Sequence, residues 1–103
     1  MGQDAAVIVE GQLLGRIEAI QEACATLSLP RLCDQLDELR GFARHNGFDA
    51  VEGLASLLES VVAYNGHRQV ALTYLSLMRD AAHHRGPDSA RVFLAAAALR
   101  GCR

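Results

Sequence analysis

The amino-acid sequence predicts an all-α protein, an antiparallel (up-and-down) four-helix bundle with an additional short or terminal helix. Apolar residues recur at spacings of three and four in successive stretches, and glycine- or proline-containing segments separate those stretches. No segment alternates apolar and polar residues over the length of a strand. Short connections predict antiparallel neighbours. With 103 residues, 50% of them hydrophobic, we expect one domain spanning residues 1–103.

The first helix is expected from about Ala5 to Leu27, with Asp4 as its N-cap. Its apolar stripe comprises Val9, Leu13, Ile17, Ile20, Cys24 and Leu27. Two glycines, Gly11 and Gly15, fall in its first half. They indicate either a close approach of another helix or a frayed start.

The second helix follows the segment SLPRL, where Ser28 suits an N-cap and Pro30 suits a first helical turn. It is expected to run to about Arg44. Asn46 and Gly47 tolerate the left-handed conformation that ends helices. The expected buried stripe is Leu29, Leu32, Leu36, Leu39 and Ala43.

Three further helices follow. Asp49 and Glu52 form a capping-box-like start for the third, which is expected to end near YNG. The fourth begins around His67 or Arg68 and ends before HHRGP, and the last begins at about Asp88. The expected buried positions are Val51, Leu54, Leu57, Leu58, Val61 and Val62 in the third helix, Val70, Tyr74, Leu75, Leu77, Met78 and Ala81 in the fourth, and Val92, Phe93, Ala96 and Leu99 in the last.

Charge and composition narrow the classes of partner. Twelve acidic residues stand against ten basic ones, all arginine, with no basic tract, so we expect no nucleic-acid partner. No apolar run approaches the roughly 18 residues of a membrane-spanning helix, so no membrane association is expected. Cys24, Cys33 and Cys102 lack paired C-x-x-C spacing, which favours reduced thiols in a cytoplasmic protein over a disulfide framework or zinc site.

Residues suited to catalysis do not form a recognisable motif. The acidic cluster Asp34, Asp37 and Glu38 reads as a solvated helix face rather than a catalytic dyad. The four histidines are His45, His67, His83 and His84, and their spacing encodes no local metal site. We therefore expect no enzyme activity, metal or cofactor. A helical active site using Asp37, Glu38 and a histidine is the open alternative.

One glycine is unexpected. Gly41 lies inside the second helix, where glycine costs roughly 1 kcal/mol relative to alanine, so the position calls for either a packing or a functional reason. Phe42 and Phe48 flank the following corner. We expect them to be exposed apolar contact points, with a corner staple as the alternative.

The stretch DELRGFARHNGFDAVEGLASLLE resembles the histidine phosphotransfer (Hpt) domain family. That family carries the pattern H-x-L-K-G-S-A-x-N-x-G, followed by a second helix that closes in L-E. The identities fall at Leu39, Gly41, Ala43 and Gly47. Arg40 replaces the lysine, and Leu58 and Glu59 fall at the closing pair without a gap. In the family, the small residue beside the active histidine lets a receiver domain approach.

The resemblance departs at the decisive position, where Asp37 replaces the phosphorylated histidine and lacks the imidazole nitrogen of the relay chemistry. It therefore implies a non-catalytic signalling module that binds a response-regulator receiver or a histidine kinase through the second helix. The expected contact residues are Asp37, Glu38, Arg40, Gly41, Phe42 and Arg44. The alternative is a self-associating adaptor or structural bundle outside any phosphorelay, a homodimer formed through the first or last helix.

Overall fold

A computed structural model shows five α-helices and describes residues 2–65, 68–84 and 87–101. In chain order the helices are α1 (Gly2–Ala23), α2 (Leu29–His45), α3 (Asp49–Asn65), α4 (Arg68–Ala81) and α5 (Pro87–Gly101). No strand occurs within the described ranges, so the all-α class is confirmed. None of the described helices combines the length and the apolar character that crossing a bilayer requires.

The first four helices pack in a closed ring. Each of α1, α2, α3 and α4 contacts the next along the chain, and α1 also contacts α4. The last helix, α5, lies against α3 and α4. The buried hydrophobic side chains form one core to which all five helices contribute, and no polar or charged side chain described in the structure is buried within it.

The bounds of α1 differ from those expected. Because the helix begins at Gly2, Asp4 lies inside it and is not the N-cap. The helix ends at Ala23 rather than Leu27. The N–H groups of Thr26 and Leu27 both donate to the carbonyl of Ala23 at 2.9 Å, so the chain closes a turn there instead of continuing the helix.

The start of α2 is as expected. Ser28 is its N-cap, with extended backbone angles (φ −67°, ψ 156°), and its hydroxyl accepts from the N–H of Arg31 at 3.4 Å. Pro30 lies in the first turn, where its missing N–H leaves no hydrogen bond unmade. Further along, α4 begins at Arg68, and His67 lies outside the described residues.

The corner between α2 and α3 is a Schellman motif built on Gly47, whose φ is 80°. The N–H of Phe48 donates to the carbonyl of Ala43 at 2.8 Å, and the N–H of Gly47 donates to that of Arg44 at 3.4 Å. This turns the chain back on itself and leaves Phe48 fully buried. The expectation that Phe48 is exposed was therefore wrong. Asp49 begins α3 as expected.

Helical periodicity located the core well in α2, where Leu32, Leu36, Leu39 and Ala43 are all buried. It failed at Leu57 in α3, and in α5, where Val92 is 66% and Leu99 81% exposed. The alanine-rich α5 carries apolar side chains on every side, so the pattern did not select a face. The helix instead buries Ala97.

Candidate docking face

The residues that the sequence singled out share one side of α2 but differ in exposure. Asp37, Glu38, Gly41 and Arg44 are exposed, and so is His45 at the helix end. We call these five residues the α2 face. Two other expected contact residues flank it, both half-buried: Arg40, whose side chain reaches α3, and Phe42, which contacts α1.

Gly41 occupies open space in the middle of this face. A Cβ atom built on it would meet no atom within 4 Å outside its own helix backbone and chain neighbours. Gly53 on α3 behaves differently, because a Cβ there would lie 3.1 Å from a Leu94 methyl carbon. Gly53 therefore lies at a close contact between α3 and α5. No helix contact within the described chain accounts for Gly41.

Arg40 links α2 to α3. Its Nη2 lies 2.9 Å from Asp37 Oδ1 on α2, and its Nη1 lies 3.2 Å from Glu59 Oε2 on α3. The Asp37 side chain is 61% exposed and that of Glu59 only 21% exposed. Residues near opposite ends of the segment from Asp37 to Glu59 thus form one charged cluster. Sequence reasoning aligned Glu59 but did not place it at the site, because only the fold brings it beside Arg40.

The Glu59 carboxyl group is largely shielded from solvent. Its Oε2 atom is buried and accepts no hydrogen bond, because the contact with Arg40 is an ion pair by distance without hydrogen-bond geometry. Burial raises the pKa of the Glu59 carboxyl above its usual value; Arg40 lowers it, and the charge of Asp37 raises it again. The carboxylate is only partly compensated by its arginine.

A shallow, solvent-open depression between α2 and α3 contains this carboxyl group. It is lined by Cys33, Arg40, Ser56, Glu59, Ser60 and Ala63. The pKa of the Cys33 thiol is raised, first by burial, then by the negative charges of Glu59 and Asp34. Burial is the largest cause of both pKa shifts, and neighbouring negative charge adds to each of them.

Phe42 is a half-buried residue that contributes to internal packing. The guanidinium carbon of Arg16 on α1 lies 4.5 Å from the centre of the Phe42 ring, in a cation–π contact. The ring also packs against the core. The carbonyl of Phe42 accepts from the side-chain amide of Asn46 at 2.9 Å. Phe42 is therefore less exposed than the sequence led us to expect, and it secures the contact between α1 and α2.

The remaining titratable candidates lie elsewhere. His83 Nδ1 is 2.8 Å from Glu10 Oε1, which links α4 to α1. The ring of His84 lies 5.6 Å from that of Phe93. Within the described residues, no group of three or more histidine, cysteine or acidic side chains could hold a metal ion. None of these side chains adjoins the α2 face by a described contact.

Comparisons with known proteins assign no family. No protein-family model, no curated protein and no solved structure matches this chain. The Hpt resemblance therefore depends on the sequence from Asp37 to Glu59 alone.

Proposed function

We propose that this chain is a non-catalytic, Hpt-like interaction module that docks a response-regulator receiver domain or a histidine kinase on the α2 face. The observation that carries the proposal is the open space at Gly41 between the exposed acidic and basic side chains of the α2 face, since open space alone also occurs at Gly11 and Gly15. A glycine in an exposed helix lowers stability by roughly 1 kcal/mol, and no contact within the described chain offsets that cost. Clearance for another protein provides a reason for it.

The proposal includes an antiparallel four-helix bundle, and the contacts between helices support this arrangement. Early in α1, Glu10 contacts His83, whereas the later Glu18 contacts the earlier Arg79 at 3.3 Å. The order of the contacts is reversed between α1 and α4, as it is between antiparallel helices. The helix ring α1–α2–α3–α4 agrees with an up-and-down bundle in which α5 is the additional element.

Asp37 supplies a fixed negative charge in place of the family's histidine. Its carboxylate is oriented by Arg40, and that guanidinium is itself held by Glu59. An arginine held by two carboxylates has lost much of its side-chain freedom before a partner arrives, which reduces the entropic cost of binding. Asp37 and Arg40 would thus present a preorganised charge pattern beside the open space at Gly41, with the half-buried Phe42 as an apolar border.

The test variant is Gly41→Arg, which places a large side chain in the open space at Gly41, and Gly15→Arg is the matched control. Gly15 is also an exposed helical glycine with no atom within 4 Å of an added Cβ, but it lies on α1. Purified receiver domains from the same organism are titrated into each variant by calorimetry. We expect Gly41→Arg to abolish binding and Gly15→Arg to preserve it, with both variants retaining the helical circular dichroism of the parent. Equal affinity for all three proteins refutes the docking face.

A second candidate function is a self-associating adaptor. It is favoured by the exposed apolar side chains of Val7 and Ile8 on α1 and of Val92 and Leu99 on α5. Light scattering coupled to size exclusion tests it. A concentration-dependent dimer that Ile8→Asp or Leu99→Asp dissociates supports this function, and a strict monomer at high concentration removes it.

A further inference from the structure

The charges of the α2 face are arranged symmetrically about Gly41. Asp37 and Glu38 lie four and three residues before it, and Arg44 and His45 lie three and four residues after it. At about 100° per residue, all four side chains project within roughly 60° of the direction of Gly41. One half of the face is acidic and the other half is basic, and the sign changes at a position that carries no side chain.

These charges are available to another molecule. Glu38, Arg44 and His45 are exposed, and no described side chain forms an ion pair with any of them. Asp37 contacts Arg40 but remains 61% exposed, so its carboxylate can accept a second partner. The Arg44 guanidinium in the last turn also suits the negative end of the helix dipole, but that interaction accounts for neither the position nor the exposure of Glu38.

We propose that a second copy of this chain binds the α2 face, with the two α2 helices antiparallel and a two-fold axis passing near Gly41. Antiparallel pairing about that point places Asp37 opposite Arg44 of the second copy and Glu38 opposite His45 of the second copy. Two-fold symmetry repeats both pairs, giving two ion pairs between Asp37 and Arg44 and two contacts between Glu38 and His45 from one pattern. Parallel pairing sets acid against acid and base against base, so the charge pattern selects the antiparallel form.

Gly41 contributes a second condition for this interface. Two helices that cross at glycine can approach more closely than helices that cross at larger residues. In each copy, no atom outside the helix's own backbone and the chain neighbours lies within 4 Å of the position that a Gly41 Cβ would occupy. This closer approach brings the acidic side chains of one copy within reach of the basic side chains of the other. This dimer uses the same α2 face as the proposed function, but its formation requires no other protein. If both hold, the dimer covers the face and competes with the receiver domain or kinase.

The interface is expected to be weak, because exposed ion pairs contribute little individually. The test is sedimentation velocity over a range of concentrations, on the protein alone. Asp37→Arg and Arg44→Asp each turn two attractive pairs into two repulsive ones, and each should weaken dimerisation about 10- to 100-fold. Arg91→Asp changes an exposed charge on α5 in the same way as Arg44→Asp, and should leave dimerisation unchanged.

A charge exchange separates this interface from all others. An equimolar mixture of Asp37→Arg and Arg44→Asp should form a heterodimer, since residue 37 of each chain then faces an opposite charge at residue 44 of the other. The double variant carrying both substitutions should likewise dimerise with itself. A monomeric parent protein overturns the proposal, as does a dimer insensitive to Asp37→Arg or a mixture that stays monomeric. Receiver binding is measured separately, so its failure leaves these outcomes unaffected.

Discussion

Replacing Gly41 with alanine should stabilise this protein. The position is exposed, lies inside α2, and leaves an added methyl group free of any atom within 4 Å. The substitution therefore gains the full difference in helix propensity, roughly 1 kcal/mol, without a steric penalty. For a domain of this size, that free energy corresponds to a rise in Tm of about 4–8 °C. Urea unfolding followed by circular dichroism measures it directly.

Gly53→Ala is the matched control. It makes the same change in another helix, but the added methyl group would lie 3.1 and 3.2 Å from the two terminal carbons of Leu94. That contact is tighter than ordinary packing, so displacement of Leu94 must offset part of the propensity gain. We expect Gly53→Ala to gain less than Gly41→Ala. An unchanged or lowered unfolding midpoint in Gly41→Ala would refute the reasoning that this glycine has no structural role.

Three further predictions concern residues at the ends of α2 and on the adjoining helix α3. Gly47→Ala should destabilise the protein by about 1–2 kcal/mol in urea unfolding, because φ is 80° there and the Schellman motif requires it; no loss would contradict the left-handed turn. Ser28→Ala should cost about 0.5–1 kcal/mol in the same assay by removing the N-cap of α2, and an unchanged midpoint would show that the 3.4 Å contact contributes nothing. Glu59→Gln should stabilise the protein increasingly as pH rises. Because the pKa of Glu59 is raised in the folded state, its carboxyl group stabilises the fold below the ordinary pKa of 4.5, and this stabilisation is lost as pH rises through the folded-state pKa. Urea unfolding at acidic and neutral pH should therefore show a larger gain in stability for Glu59→Gln at neutral pH. An equal gain at both pH values would contradict this prediction.

The sequence predicted those parts of the fold that depend on local periodicity. In α2 the leucines at spacings of three and four could occupy only one helical face, and the structure buries that face. Phe48 was misplaced because its burial depends on the left-handed turn at Gly47, which bends the chain rather than extending the helix pattern. In α5, apolar residues surround the helix, so the choice of buried side depends on tertiary packing.

Some features of the candidate site could likewise be predicted from the sequence, whereas others depend on the fold. The exposure of Asp37, Glu38 and Arg44 follows from their position opposite the apolar stripe. The ion pair between Arg40 and Glu59 could not be read from the chain, because it depends on how α2 and α3 are rotated against each other. Open space at Gly41 likewise became known only from the fold, since the sequence allowed a packing reason as well.

Amide chemical-shift mapping determines whether a protein partner binds the α2 face. The ¹⁵N-labelled chain is titrated with each purified receiver domain, with the Gly41→Arg variant in parallel. We expect a binding receiver to perturb the amides around Asp37, Glu38, Gly41 and Arg44, and we expect Gly41→Arg to remove these perturbations. Perturbations confined to α1 or α5, or equal binding by Gly41→Arg, would contradict this expectation.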